Sequence, residues 1–351
     1  MRRFLLPAAA AVIAAASTAG LAGAGADRDH PRHRDHGRAY EIGLWGDVPY
    51  SDVQTAEGVP NLVADMNRHR LAFTVHDGDI KAGGSRCDDA VYAQFERYLN
   101  ALEAPALYTP GDNDWTDCDR PAAGGYDSEE RLDHIRAELF DTPYSFGERR
   151  IRPEVQAPPY VENRRWQRGR VTYATLHVVG SDDNLGDVAP DPAEQAPRSA
   201  ATIRWLRETF AAAKRRRSAG VLLTTQANPG FDLSDPTRAP TRDPRTLAPA
   251  GADGGGFVSF LSALREETIA YGKPVVLVHG DSHYFRVDKP LQDAAGYRIQ
   301  NFTRLETPGN NAQTANNDVQ WVRVGVDPSE PEVFAFHQEV VEANLPPAYQ
   351  P

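Results

Sequence analysis

The chain has 351 residues, 40% hydrophobic and 25% charged, an ordinary globular mixture with enough length to bury a large core. Disorder and collagen-like repeats are excluded. A formal charge of −11 also counts against sequence-independent nucleic-acid binding, because a phosphate backbone would be repelled.

The first 26 residues run from Arg2 and Arg3 through an Ala- and Gly-dominated apolar stretch, beginning at Phe4, to Ala24 and Ala26 at cleavage-site spacing. That order of basic, apolar and small residues reads as a secretory signal peptide removed after Ala26, so the mature chain is expected to be secreted or extracytoplasmic. The apolar part is marginal for a span of ~20 residues, and no later segment is long and apolar enough to cross a bilayer. Residues 27–38 mix both charge signs with a Pro and read as a solvated linker, in which His30, His33 and His36 have no fixed ligand geometry. A single domain is expected over 39–345, followed by a short tail.

Short apolar runs then alternate with segments of helical period, the pattern of an α/β protein. Strands are expected at 40–45, 71–75, 106–109, 171–179, 220–225 and 274–279. Val91, Phe95, Leu99 and Leu102 fall on one helical face, with Asp88 and Asp89 at its N-terminal end. Ile203, Leu206 and Phe210 mark a second helix, closed by the basic run Lys214 to Arg217. Residues 161–166 and 171–179 look like a hairpin turning at Gln167-Arg168-Gly169. Later runs at 297–303, 319–326 and 333–340 lack long helices between them and argue for a second, partly antiparallel sheet. Polar loops are expected at 181–197, 228–255 and 309–317, long enough to shape a site or merely to be mobile.

Four Gly-Asp pairs, at 46–47, 78–79, 111–112 and 280–281, each follow closely on an apolar run, whereas a fifth, Gly186-Asp187, sits in a polar loop. Residues just past parallel strands converge on one sheet edge. Gly-Asp is common turn chemistry, and one such pair means little. Four at strand ends suggest a site in which Gly permits the turn and Asp offers oxygen ligands, and clustered carboxylates would need cations to neutralise them.

At these residues the chain resembles the calcineurin-like metallophosphoesterase superfamily, across most of residues 40–340. The resemblance implies an α/β, four-layer αββα sandwich of two mixed sheets, with metals bridged by one Asp at the strand ends. The family's motifs stand here as Gly46-Asp47-Val48-Pro49, Gly78-Asp79-Ile80-Lys81, Gly111-Asp112-Asn113-Asp114, Gln226-Ala227-Asn228-Pro229 and Gly280-Asp281-Ser282-His283. Carried over, the first metal would keep Asp47, the bridging Asp79 and His283, while the first-motif His has become Pro49. The second would use Asp79, Asp112, Asp281 and either Gln226 or Asn228. Oxygen donors prefer hard cations, so Mn²⁺ or Mg²⁺ is expected, with Ca²⁺ or iron also admitted.

The family His that assists the leaving group is here Asn113, which is no acid, so water, His76 or Asp114 would have to supply the proton. Lys81, Arg86 and Arg120 lie near the motif loops and are candidates to stabilise phosphoryl charge, although surface solvation is the commoner fate of such residues. The resemblance thus implies a secreted metal-dependent hydrolase of a small-molecule or cell-envelope phosphoester, working through metal-activated water. A non-catalytic protein of the same fold that binds a cation or ligand is the alternative.

Cys87 and Cys118, the only cysteines, both follow motif loops on one expected sheet edge. In an oxidising compartment they are expected to form a disulfide, since two thiols alone do not complete a structural zinc site.

Overall fold

A computed structural model of the protein describes residues 37–234, 239–310 and 319–346. The expected leader, the linker histidines His30, His33 and His36, and all but the first residue of the tail lie outside the described residues.

Twelve named strands make two mixed sheets. In chain order they are β1 (Tyr40–Trp45), β2 (Leu71–His76), β3 (Ala106–Tyr108), β4 (Glu154–Val155), β5 (Arg164–Arg168), β6 (Val171–Thr175), β7 (Gly220–Thr224), β8 (Val275–His279), β9 (Arg286–Asp288), β10 (Phe302–Glu306), β11 (Trp321–Val326) and β12 (Phe334–Glu339). The five-stranded sheet has the order β12-β11-β1-β2-β3 and the seven-stranded sheet β4-β5-β6-β7-β8-β10-β9. In the first, β1, β2 and β3 are parallel and β11 and β12 return antiparallel. In the second, β6, β7, β8 and β10 are parallel, with antiparallel strands at both edges.

Side-chain alternation explains the layering, since successive residues of a strand face opposite sides. Ile42, Leu44, Phe73 and Val75 of the first sheet meet Tyr173, Leu222, Val276 and Val278 of the second in one buried cluster. The intervening residues Val275 and Leu277 face the other way, onto the long helix Pro192–Arg216 and the helix Val258–Tyr271, through Leu206, Phe210, Leu261 and Leu264. On the outer face of the first sheet, helices α1 (Val59–Asn67), α2 (Asp89–Asn100) and α3 (Ser128–Leu139) contribute Leu62, Phe95 and Ile135 to a third cluster with Trp45 and Tyr108. The result is the expected helix–sheet–sheet–helix sandwich.

Several expected boundaries shift. The first hairpin strand runs over Arg164–Arg168 and not 161–166, because Gln167 and Arg168, expected in the turn, pair with Thr172 and Val171. The expected loop 181–197 becomes helical at Pro192, because Asp191 accepts from the backbone of Ala193 and Glu194 and Pro192 suits the first helical position. The basic run does close that helix, with Arg217 in the left-handed region at φ 54°. The strand expected over 171–179 ends at Thr175, after which the backbone of Val178 accepts from Gln226 and Ala227 instead of continuing the ladder. The run 297–303 joins a sheet only from Phe302, because Tyr297 is held in a turn by the Asp293 carboxylate.

No helix among the described residues is long and apolar enough to cross a membrane. Cys87 and Cys118 are disulfide-bonded, with Cα atoms 5.8 Å apart, joining the loops that follow β2 and β3.

Candidate functional site

Strands β1, β2, β3 and β8 all end beside one another, and each is followed within four residues by one of the Gly-Asp pairs. The turn chemistry differs from expectation. Of the four glycines only Gly78 adopts a positive φ; at the other turns the aspartates themselves are left-handed or the chain bends without it. Asp47 (φ 53°), Asp79 (φ 61°), Asp281 (φ 74°) and His283 (φ 69°) all occupy this sparsely populated region, which is held at a cost in strain and concentrates at functional sites. Glycine is needed for close approach instead. A Cβ on Gly111 would lie 2.0 Å from Asp79 Oδ1, and one on Gly280 would lie 2.1 Å from Asp47 Oδ2.

Asp47 is buried, and both of its oxygens accept from the backbone N–H of Asp281, at 3.1 and 3.2 Å. His283 Nε2 stands 3.5 Å from Asp47 Oδ1, and its Nδ1 is 2.7 Å from the Asn310 carbonyl oxygen. Asp79 is buried beside them. Its Oδ2 accepts from the Tyr50 hydroxyl at 2.9 Å and from Asn113 Nδ2 at 2.8 Å, and its Oδ1 from the Asn113 backbone at 3.2 Å. Asp112 accepts from Gln226 Nε2 at 2.9 Å and from the Ser181 hydroxyl at 3.1 Å. Asp281 Oδ2 accepts from the Asn228 backbone at 2.9 Å, while the Asn228 amide donates to Ser282 Oγ and its oxygen accepts from Gly230.

These carboxylates stand in one another's fields. Burial pushes Asp79 well above the usual carboxylate range, and the charges of Asp112, Asp47, Asp114 and Asp281 push it further. Asp281 is raised by burial and then by Asp112 and Asp47. Asp112 is raised by burial, against the Ser181 hydrogen bond and the nearby Arg120. Asp77, a buried residue that sequence reasoning missed, is raised by burial and by Asp47, and among the described residues its Oδ1 has no hydrogen-bond partner.

The expected proton donors lie elsewhere in the hydrogen-bond network. Asp114 accepts from the backbones of Asp79, Ile80 and Gly111 and from the Tyr108 hydroxyl, so it ties two motif loops together. His76 is fully buried, with its ring edge-on to Trp45 and Phe95, and burial lowers its pKa to about 3. Asn113 is occupied with Asp79 and Tyr50. Among the expected cations, Lys81 is buried, with its Nζ 3.3 Å from the Ala82 carbonyl oxygen. Arg120 pairs with Asp117 and with Asp187 at 3.0 Å, and also donates to Ser181 Oγ. Arg86 is spent on Asp88 and Tyr126 at the surface. Tyr50 and Asp117 joined this network with no signal in the sequence beyond proximity to a motif, Ser181 joined it from a loop with no signal at all, and Asp187 from the Gly-Asp pair set apart as a polar loop.

The donor chemistry fits a hard cation: buried, mutually repelling oxygens with one imidazole. The geometry is not preassembled, since among the described residues no three His, Cys, Asp or Glu side chains form a group that could hold a metal ion. The carboxylate oxygens are instead engaged by the protein donors just named.

No protein-family model and no curated protein matches the chain. Among solved structures it is similar to GAP50, the anchor in the inner membrane complex of Plasmodium, at 10% identity over 86% of this chain and 89% of that one, with a TM-score of 0.48. It is similar to the purple acid phosphatase PPD1 of yellow lupin seeds at 9% identity, over 86% of this chain and 53% of that one (TM-score 0.46). TT1561 of Thermus thermophilus is 13% identical over 87% of this chain and 100% of that one (TM-score 0.45). Scores below 0.5 leave the architecture to be read from the sheets themselves, and these are two mixed sheets packed face to face with helices on the outer sides.

Proposed function

We propose that the chain is an exported phosphoester hydrolase of the calcineurin-like metallophosphoesterase superfamily, whose acidic centre recruits a hard divalent cation, Mn²⁺ or Mg²⁺ before Ca²⁺ or iron. One observation carries the reading: carboxylates at four strand ends are buried together, where the charges of Asp112 and Asp47 push Asp79 and Asp281 upward on top of burial, an arrangement that a divalent cation relieves. The disulfide supports export, since such bonds persist in oxidising compartments.

When bound, the cation supplies polarisation of a phosphoryl oxygen and a more acidic water. Asp47, Asp79, Asp281 and His283 are the residues that would hold it, with Asp112 close enough for its charge to act on Asp79 and Asp281. Tyr50 and Asn113 orient the Asp79 carboxylate, and Lys81 places a positive charge beside it for the phosphoryl group. Arg120 acts one step back, through Ser181 on Asp112.

The test is the metal content of purified protein, with hydrolysis of an aryl phosphate monoester and diester across Mn²⁺, Mg²⁺, Ca²⁺ and Zn²⁺. Cation-dependent turnover is expected. Protein that binds a cation and turns over neither ester would leave the second reading, a non-catalytic protein of this fold. The observation that favours that reading is the engagement of Asn113 and Asp114 in structural hydrogen bonds.

A further inference from the structure

A cleft of about 570 Å³ opens directly beside the acidic centre, with Tyr50 and Lys81 in its lining. One wall is α2, which contributes Val91, Phe95 and Tyr98, residues four and three apart and therefore on one helical face. The opposite side is Pro49 with the segment that follows it, and the Tyr98 hydroxyl donates to the Thr55 carbonyl across the far end. From Val91 to Tyr98 the helix rises about 10 Å, the length of a two-ring aromatic group. The floor at the inner end is polar and carries one cation, because Tyr50 hydrogen-bonds Asp79 and Lys81 lies buried among the carboxylates of the motif loops. A ligand lying in this cleft would place an anion at Lys81 and apolar surface along α2.

The chemistry of the centre narrows the ligand further. Asn113 is no acid, Asp114 accepts four hydrogen bonds and His76 is enclosed by aromatic rings, so none of the three is free to protonate a departing alcohol. With water left as the proton source, a weak acid, departure is favoured for an acidic alcohol, of phenol type. We infer that the substrate is a phosphoester of an aromatic alcohol, with the phosphoryl group at the Asp79–Lys81 end and the aryl group in the cleft against Val91 and Phe95. This rests on the hydrolase reading for its reaction but not for its binding. In the reaction the oxygen of water forms the new P–O bond while the aryl P–O bond breaks. The aryloxide leaves with the bonding electron pair and takes a proton from solvent, and the attacking water loses its proton to solvent.

Binding is measured by calorimetry with two non-hydrolysable probes, naphthylmethylphosphonate and methylphosphonate, on the full chain with Mn²⁺. The aryl probe is expected to bind at least about tenfold tighter, from the apolar area that the cleft removes from water. Val91→Asp introduces a charge at the third position of α2, where the helix dipole tolerates an acid, and should bring the ratio of the two affinities close to one. Val91→Trp, which fills the cleft without a charge, should do the same, and melting curves check that both variants fold. Equal affinities in the wild type, or a ratio that neither variant changes, overturns the assignment, even if esters are hydrolysed. An aryl preference that depends on Val91, in protein that hydrolyses nothing, upholds the cleft while the hydrolase reading falls.

Discussion

The hydroxyl of Tyr50 donates to Asp79 Oδ2 across 2.9 Å, from the loop that follows the β1 strand end to a buried carboxylate of the acidic centre. Burial, with Asp79 and Asp47 nearby, pushes the Tyr50 hydroxyl well above its ordinary pKa, so it remains a donor. It therefore competes with any cation for that oxygen. Tyr50→Phe is expected to bind Mn²⁺ several-fold tighter while lowering the stability of cation-free protein by about 1–2 kcal/mol, the cost of a lost charge-assisted hydrogen bond. Calorimetric Mn²⁺ titration and urea unfolding in chelator check the two effects.

Asp79→Asn removes a buried charge that its neighbours repel. An acid whose folded pKa is raised loses stability as pH climbs above its unfolded value, so at neutral pH the variant should melt a few degrees higher than wild type in chelator. It should also lose most of the stabilisation that Mn²⁺ gives the wild type and lower metal content. Where activity is present, it should fall roughly 100-fold or more, and further than in Lys81→Ala, which loses one contact to substrate. Melting curves with and without Mn²⁺, beside turnover of both variants, decide the order.

Acid should destabilise the fold through a pair remote from the acidic centre. Glu162 is fully buried, accepting from Arg136 at 2.8 Å and lying 2.8 Å from His177 Nδ1. Burial opposes its charge, but His177 and Arg136 outweigh that and hold the carboxyl down at about 2. Its contribution is complete above the unfolded value of 4.5 and drains away as pH falls towards 2, with an upper bound of about 3 kcal/mol. Burial lowers His177 below 6.5, so protonation of the unfolded chain begins to erode stability already under that pH. Urea unfolding of wild type and Glu162→Gln between pH 7 and 3 should show a shallower acid slope in the variant below pH 4.5.

The Cys87–Cys118 bridge spans 31 positions of sequence. Closing a loop of that size should stabilise the fold by about 3–4 kcal/mol in the chain-entropy model. A Cys87→Ser, Cys118→Ser double variant should unfold at correspondingly lower urea, and unfolded wild type without reductant should show no free thiol.

Arg198 is fully buried, donating to Asp183 at 2.6 Å and to Glu194 at 2.7 Å. It secures a turn in which Ser181, Asp182, Asp183 and Asn184 are all left-handed. Arg198→Met should cost about 3–5 kcal/mol, because it leaves the Asp183 carboxylate buried without its cation. Urea unfolding measures it, and an aspartate-neutralising Asp183→Asn on top should recover part of the loss.

Much of the sandwich was legible because β1, β2, β7 and β8 are short, largely apolar runs, as parallel strands buried on both faces need. The four Gly-Asp turns were legible as punctuation, but their mechanics were not: the left-handed φ falls on three of the aspartates, Asp47, Asp79 and Asp281, and on only one of the glycines, Gly78. Gly186-Asp187, set aside as a loop pair, turned out to anchor Arg120. Asp77 and Tyr50 had no periodicity or spacing to mark them, and the helix at Pro192 was hidden by prolines that usually signal loops.

The members of the acidic centre are contributed by both sheets, with Asp47, Asp79 and Asp112 from the first and Asp281 and His283 from the second. The contact from Asp281 to Asp47 spans 234 positions of sequence, and that from Gln54 to Asn310 spans 256. Asp281 reaches Asp47 only when the two sheets are docked, so the full set of carboxylates is assembled by that docking. A luminescent lanthanide added during refolding is expected to report the moment at which it happens.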